Sequence, residues 1–193
     1  PVSDISDSDL KKALTVFVNG QLLLSGSPDD TTAANCDYSM FNSVAVAATS
    51  AFDYTGQPTT DRQFTLTDNQ GTPVTTTYQF TEGGSNGDDL GSGVRNILKG
   101  LNADATYANL KTVVEAQQNI TVTVGGSADA NEGTVTLTQG TAGDSGNTTV
   151  TSNVDNLTLP GITAFSGGVS AGFQDVKFAF QLEEDDVIQM IIR

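Results

Sequence analysis

The sequence predicts a mainly β protein, and three observations carry that prediction. Apolar residues make up only 37% of the chain and charged residues 16%, with Gly, Thr, Ser, Asn and Asp filling the rest. That composition suits short strands joined by turns better than long helices. Two apolar runs, Leu14–Val18 and Gln21–Leu24, flank Asn19-Gly20, the pair best able to supply the two positive φ angles of a type I′ hairpin turn. Later segments such as Val74–Phe80, Ile120–Val124 and Thr134–Thr138 alternate apolar residues with threonine or another polar residue, the period of a strand with one solvated face.

A second pair of apolar runs surrounds a polar corner in Val176–Ile192. The predicted architecture is a small β-sandwich or β-barrel-like module formed by the two chain ends, with an inserted α+β domain containing a sheet plus one or two helices. The expected limits are an N-terminal arm over 1–12, a split β module over 13–42 and 173–193, and the inserted domain over 43–172. At 193 residues the chain is long enough for one large domain or two small ones.

The arm, Pro1–Asp9, is polar and acidic apart from Val2 and Ile5, and reads as a segment that packs along a neighbouring subunit. One helical turn is expected at Asp9–Ala13 with Asp9 as N-cap. In the first hairpin Leu14, Val16 and Val18 share one face, and Phe17 points to the other. Leu22 and Leu24 alternate with Leu23. Both faces are partly apolar, which predicts burial on two sides. Ser25–Asn35 is a loop by composition, and Cys36–Met40 and Val44–Ala48 are expected strands.

In the insert, Phe64–Thr67 and Val74–Phe80 are predicted to form a hairpin across Asp68–Gly71. The Gly-rich stretch Glu82–Gly93 is predicted to lead into a helix capped by Asp88 or Asp89, since Leu90, Val94, Ile97, Leu98 and Leu101 recur at helical spacing. A second helix begins near Asp104 with Tyr107, Leu110, Val113 and Val114 inward. Strands follow at Ile120–Val124 and Thr134–Thr138, with shorter ones at Thr148–Thr151 and Asn156–Leu159. Val176, Phe178, Phe180 and Leu182 line one face of a late strand. After the acidic corner Glu183–Asp186, Val187–Ile192 forms a strand too apolar to stay uncovered. An insertion between the two halves of the module predicts that Met40 and Phe173 lie close together.

The chain carries 8 basic and 23 acidic residues, a net charge of −15. Such a surface repels phosphate backbones and anionic membranes, so neither nucleic acid nor membrane is an expected partner, and a basic protein surface is. With one cysteine, Cys36, no intramolecular disulfide can form. No apolar run approaches a membrane span. No basic and apolar leader opens the sequence, and its start at Pro1 reads as a mature chain made in the cytoplasm.

Candidate chemistry is sparse. Gly143-Asp-Ser-Gly146 matches the residues around a serine-protease nucleophile, but the chain has no histidine to take the serine proton. A lysine base, Lys99 or Lys111, has nothing in the sequence to place it there. The same composition excludes ordinary zinc, copper and haem sites. Asp129-Ala-Asn131-Glu-Gly133 has the opening of a calcium loop, which makes Asp129 and Asn131 the only candidate metal ligands. It lacks an EF-hand's helices and distal Glu, so a hairpin turn is the better account. Glu82 with Asp88 could in principle serve a glycosidase, but no aromatic sugar platform accompanies them. The Gly-rich loop before residue 94 lacks a phosphate-binding lysine and carries carboxylates that would repel phosphate. The sequons at Asn119, Asn147 and Asn156 fit chance in a Thr-rich chain. No catalytic residue and no cofactor is expected.

Thr15-Val-Phe-Val-Asn-Gly-Gln-Leu-Leu23, then Asp37-Tyr38, then Val176-Lys-Phe-Ala-Phe-Gln-Leu182 and Asp185-Asp-Val-Ile188 resemble a small β module of tailed-bacteriophage virion proteins, found in fibre, tail and head-associated chains. The resemblance covers roughly 50 residues of the module, and Thr138–Thr149 is similar to β-rich segments of phage structural proteins. Here the gap after Tyr38 is far longer than the pattern requires. The resemblance implies a structural component of the virion, made in the host cytoplasm without a cofactor and assembled as a symmetric oligomer, often a trimer. The expected function is that of a capsid decoration or cement protein docking on the major capsid protein or another virion protein. The alternative is a tail or fibre protein whose insert binds a receptor or host glycan. The residues expected at the assembly interface are Val2, Ile5, Phe17, Leu22, Leu23, Phe178, Phe180, Ile188, Met190 and Ile192.

Overall fold

The computed structural model describes residues 14–23, 38–158, 160–178, 181 and 183–192. The Asp9–Ala13 turn, the Ser25–Asn35 loop and Cys36 lie outside them. The described chain is mainly β, with one α-helix and strands in four sheets. It divides into two compact units, Ala45–Ser170 and one drawn from both ends, Pro1–Val44 with Ala171–Arg193.

In the end unit, β1 (Leu14–Val18) and β2 (Gln21–Leu22) form the Asn19-Gly20 hairpin. Asn19 has φ 51° and Gly20 φ 80°, as a two-residue primed turn requires. On its other side β1 pairs along its whole length with β13 (Ile188–Ile192), antiparallel, Leu14 opposite Ile192 and Val18 opposite Ile188. The sheet order is β13-β1-β2. Val16 and Val18 are buried, as is Leu23. β3 (Tyr38–Ser43) pairs antiparallel with β12 (Gly172–Phe178), Val176 opposite Met40 and Phe173 opposite Asn42. In both sheets a strand from the start of the chain meets one from its end.

Ala45–Ser170 is a β-sandwich-like unit with the helix inserted. One sheet has the order β4-β10-β9, from Thr49–Tyr54, Gly133–Gln139 and Ile120–Gly126. The other is β11-β5-β6-β8-β7, from Thr151–Ser152, Gln63–Thr67, Thr75–Thr81, Val94–Leu98 and Asp89–Gly91. The alternation of each strand sets its inward face: Phe52 and Tyr54, Val135 and Leu137, Ile120 and Val122 from the first sheet, Phe64 and Leu66, Tyr78 and Phe80 from the second, all buried in one core. Helix α1 (Ala103–Gln117) buries Tyr107, Leu110, Val113 and Val114. The Tyr107 ring meets Phe52 and Tyr54 of one sheet and Phe80 of the other, so the helix seals both.

Three sequence expectations are corrected. Thr148–Thr151 and Asn156–Leu159 are not strands as expected: of the first only Thr151 enters one, Thr151–Ser152, and of the described part of the second Leu157 makes a single bridge to Tyr54. The segment from Leu90 to Leu101 is not a helix. It forms β7 and β8, with β8 parallel to β6 and antiparallel to β7. β8 is flanked on both sides within the sheet and has both Asn96 and Ile97 buried, so it lacks the alternation of a half-exposed strand, and its apolar spacing imitates a helix. Ser92 and glycines 87, 91 and 93 adopt positive φ, which a helix start cannot use. Asp88 and Asp89 therefore cap turns: Asp88 accepts from the Ser85 N–H at 2.7 Å and Asp89 from that of Gly91 at 2.8 Å. Val44–Ala48 is also not a strand. It contributes one bridge, Val46 with Val169. The real helix is capped by Asn102, whose side chain accepts from the Ala105 N–H at 2.9 Å.

Candidate functional site

The sequence-flagged chemistry of Ala45–Ser170 resolves into turns and ion pairs. Asp129 and Asn131 lie in the β9–β10 connection. Asp129 accepts from the Asn131 N–H at 2.9 Å, an Asx turn, and Asn131 Oδ1 accepts from the Ala103 N–H at 3.4 Å. Among the described residues no three His, Cys, Asp or Glu side chains converge as a metal site would require. Asp144–Gly146 is a single 3-10 turn, with Asp144 held by the Ser170 hydroxyl at 2.5 Å. Lys99 binds Glu82 at 3.2 Å, and Lys111 binds Glu115 at 2.7 Å and the Val122 carbonyl. Glu82 also accepts from Thr60 at 3.0 Å. Lys99 and Thr60 together hold its carboxyl below the usual range.

The unit's other two cations are paired as well, Arg62 with Asp155 at 3.1 Å and Arg95 with Asp89 at 3.6 Å. Twelve carboxylates face these four cations in Ala45–Ser170. Each cation is already paired, and the surplus is negative.

The end unit offers a more specific arrangement where the hairpin tip meets the acidic corner. The Asn19 side chain donates to Asp186 at 2.6 Å and accepts from the Val187 N–H at 3.0 Å, while its own N–H donates to the Val187 carbonyl at 3.0 Å. The second oxygen of Asp186 accepts from the Glu183 N–H at 2.8 Å. Asn19 was legible in the sequence only as a turn residue. Here it also clasps the start of β13. Glu183, Glu184 and Asp185 stay exposed beside this clasp. Next to them run the exposed Val187, Ile188 and Met190, and Leu22 stands out from β2, 55% exposed.

Of the residues expected at an interface, Leu22, Ile188 and Met190 are exposed, Phe17 is half-buried and Leu23 is buried within its own unit. Phe178 and Ile192 lie in β12 and β13. Val2, Ile5 and Phe180 lie outside the described residues. Compared with known proteins, the chain matches no family model, and no curated protein or solved structure is significantly similar to it. No described helix is long and apolar enough to cross a membrane.

Buried polar groups in Ala45–Ser170 serve the frame. Asp68, fully buried, accepts from the N–H groups of Val74 at 2.9 Å and Asn119 at 3.1 Å and from the Gln70 side chain at 3.0 Å. Burial alone would raise its carboxyl, but these donors outweigh it and hold it below the usual range. The buried Gln139 accepts from the Asn69 N–H at 3.1 Å and donates to Thr67 at 2.9 Å and Thr148 at 3.1 Å. Such a network fixes loops; it offers no nucleophile next to a base.

Proposed function

We propose that the chain is a structural protein of a tailed-phage virion, a capsid decoration or cement protein that docks on the head as a symmetric oligomer. The observation that carries this reading is the end unit. Its strands pair the start of the chain with its end, and they carry the residues that resemble the virion module. An exposed apolar strand beside carboxylates suits adhesion better than turnover. The acidic surface suits a basic protein lattice rather than nucleic acid.

The test is oligomeric mass by native mass spectrometry, followed by cryo-EM of particles with and without the protein. A symmetric oligomer bound to the head, with heads that resist heat better when it is present, is the expected result. A chain found only on the tail overturns the capsid assignment.

One observation favours a tail or fibre role with a glycan-binding insert. The outer face of β4-β10-β9 is lined with hydroxyls, Thr138 opposite Thr49 and Thr121, and Thr136 opposite Thr123. Glycan-array binding by the whole protein, lost when Thr123 and Thr136 become Val, would support that reading over the first.

A further inference from the structure

We propose that β13 is a docking edge, which takes an extended apolar segment of a basic partner protein as an added strand, its positive charge held by the corner Glu183–Asp185. The inference rests on the reading of the chain as an assembly protein and names the chemistry of its partner.

The backbone supplies the first part of the argument. β13 lies at the end of its sheet and pairs only with β1 among the described residues. The bond from the Asn19 N–H to the Val187 carbonyl sets the phase of this ladder. In an antiparallel pair alternate residues bond inward, so Gln189 and Ile191 face β1. The N–H and C=O groups of Ile188 and Met190 then point away from it. The β1–β2 side agrees, since there Leu23 donates to Val16, a residue of the opposite parity on β1. β13 thus presents a strand's recognition pattern on the side that no described strand covers.

The side chains supply the second part. Ile188 is 40% exposed and Met190 51%. The strand, Ile188-Gln-Met-Ile-Ile192, holds no lysine, proline or other charge, so it lacks the devices by which proteins guard an edge they keep free.

Charge decides the occupant. Glu183, Glu184 and Asp185 are exposed immediately before the strand, while Asp186 is committed to Asn19 and Glu183. A second copy brings another −15. The four cations of its Ala45–Ser170 unit are already paired, and the four outside it, Lys11, Lys12, Lys177 and Arg193, share their segments with eleven carboxylates. A partner strand with lysine or arginine at one end meets both the apolar edge and the corner.

The test uses the full chain and a fluorescent peptide, Lys-Lys-Val-Thr-Val-Thr-Val, followed by anisotropy. The controls are the same peptide with Glu for Lys, and one N-methylated at alternate residues to remove its donors. The expected result is binding of the Lys peptide alone. About tenfold weakening is expected in the triple variant E183Q/E184Q/D185N and in high salt, with loss of binding in Met190→Lys. Because all four substituted side chains are exposed, thermal midpoints should be unchanged. Equal binding of the Glu peptide, no binding of the Lys peptide, or affinity unaffected by these variants overturns the proposal. So does a chain oligomer that Met190→Lys dissolves, which would make a second copy the occupant. Peptide capture does not depend on the particle, and particle localisation does not depend on the edge, so the two readings can fail separately.

Discussion

Asp68 keeps its charge in the interior through N–H donors alone among the described residues. Its carboxyl is depressed in the folded protein, so the stability it contributes is present above the unfolded value near 3.9 and is lost as pH falls through the folded one. We predict that Asp68→Asn costs about 2 kcal/mol at pH 7 in urea titrations. The gap to the parent should shrink below about pH 4, where the parent loses the same contribution. The two stacked tyrosines make an opposite pair. Tyr107 is buried with its hydroxyl unpartnered, whereas the Tyr54 hydroxyl donates to Asp104 at 2.5 Å. Burial, and then this bond, push Tyr54 far above its ordinary value. Tyr107→Phe should leave the thermal midpoint unchanged or raise it, while Tyr54→Phe lowers stability by about 1 kcal/mol. None of these roles was legible in the sequence. An Asp in a turn and a Tyr at core spacing look the same whether or not their polar atoms find partners.

Elements were legible where periodicity and solvent exposure coincide. The Gln63–Thr81 hairpin, α1, β9 and β10 each show one apolar and one polar face in the sequence. β8 did not, because its flanking strands and buried residues on both faces erase the contrast that periodicity measures. The first hairpin was legible from its Asn-Gly turn, and the burial expected on both its faces is not met at Leu22. The sequence placed the start of α1 near Asp104 and named no cap, and the structure assigns that role to Asn102. Both precede the apolar face, and only the backbone tells which is non-helical: Asn102 sits at φ −148°. Replacing Asn102 by Ala should cost about 1 kcal/mol by chemical denaturation. Asp104→Ala instead removes the Tyr54 bond without uncapping the helix.

At the scale of the whole molecule, the mainly β fold was legible from composition and turn chemistry. The candidate site was legible only as a list of apolar residues, since alternation puts Leu22 and Leu23 on opposite faces but, with both faces apolar, does not tell which one is exposed. The topology makes the two units separable by experiment. Ser43 and Gly172 are cross-strand partners, so their backbones lie roughly 5 Å apart, and a short Gly/Ser linker can replace what lies between. The Ala45–Ser170 unit holds a complete core of its own. We predict that residues 45–170 made alone unfold cooperatively, and that the linked end unit keeps its β circular dichroism. A fragment 45–170 lacking a cooperative transition would show that the core needs the flanking strands.

The pairing of β1 with β13 also sets a schedule for synthesis. A strand begun at Leu14 waits for its neighbour until the ribosome has passed Ile192, while the unit between them can close its core earlier. A chain cut short before Ile188 would then display a finished insert on an end unit whose β1 is left as the edge of its sheet. The β13-β1-β2 sheet is therefore complete only after Ile192 has been made, later than every strand of Ala45–Ser170.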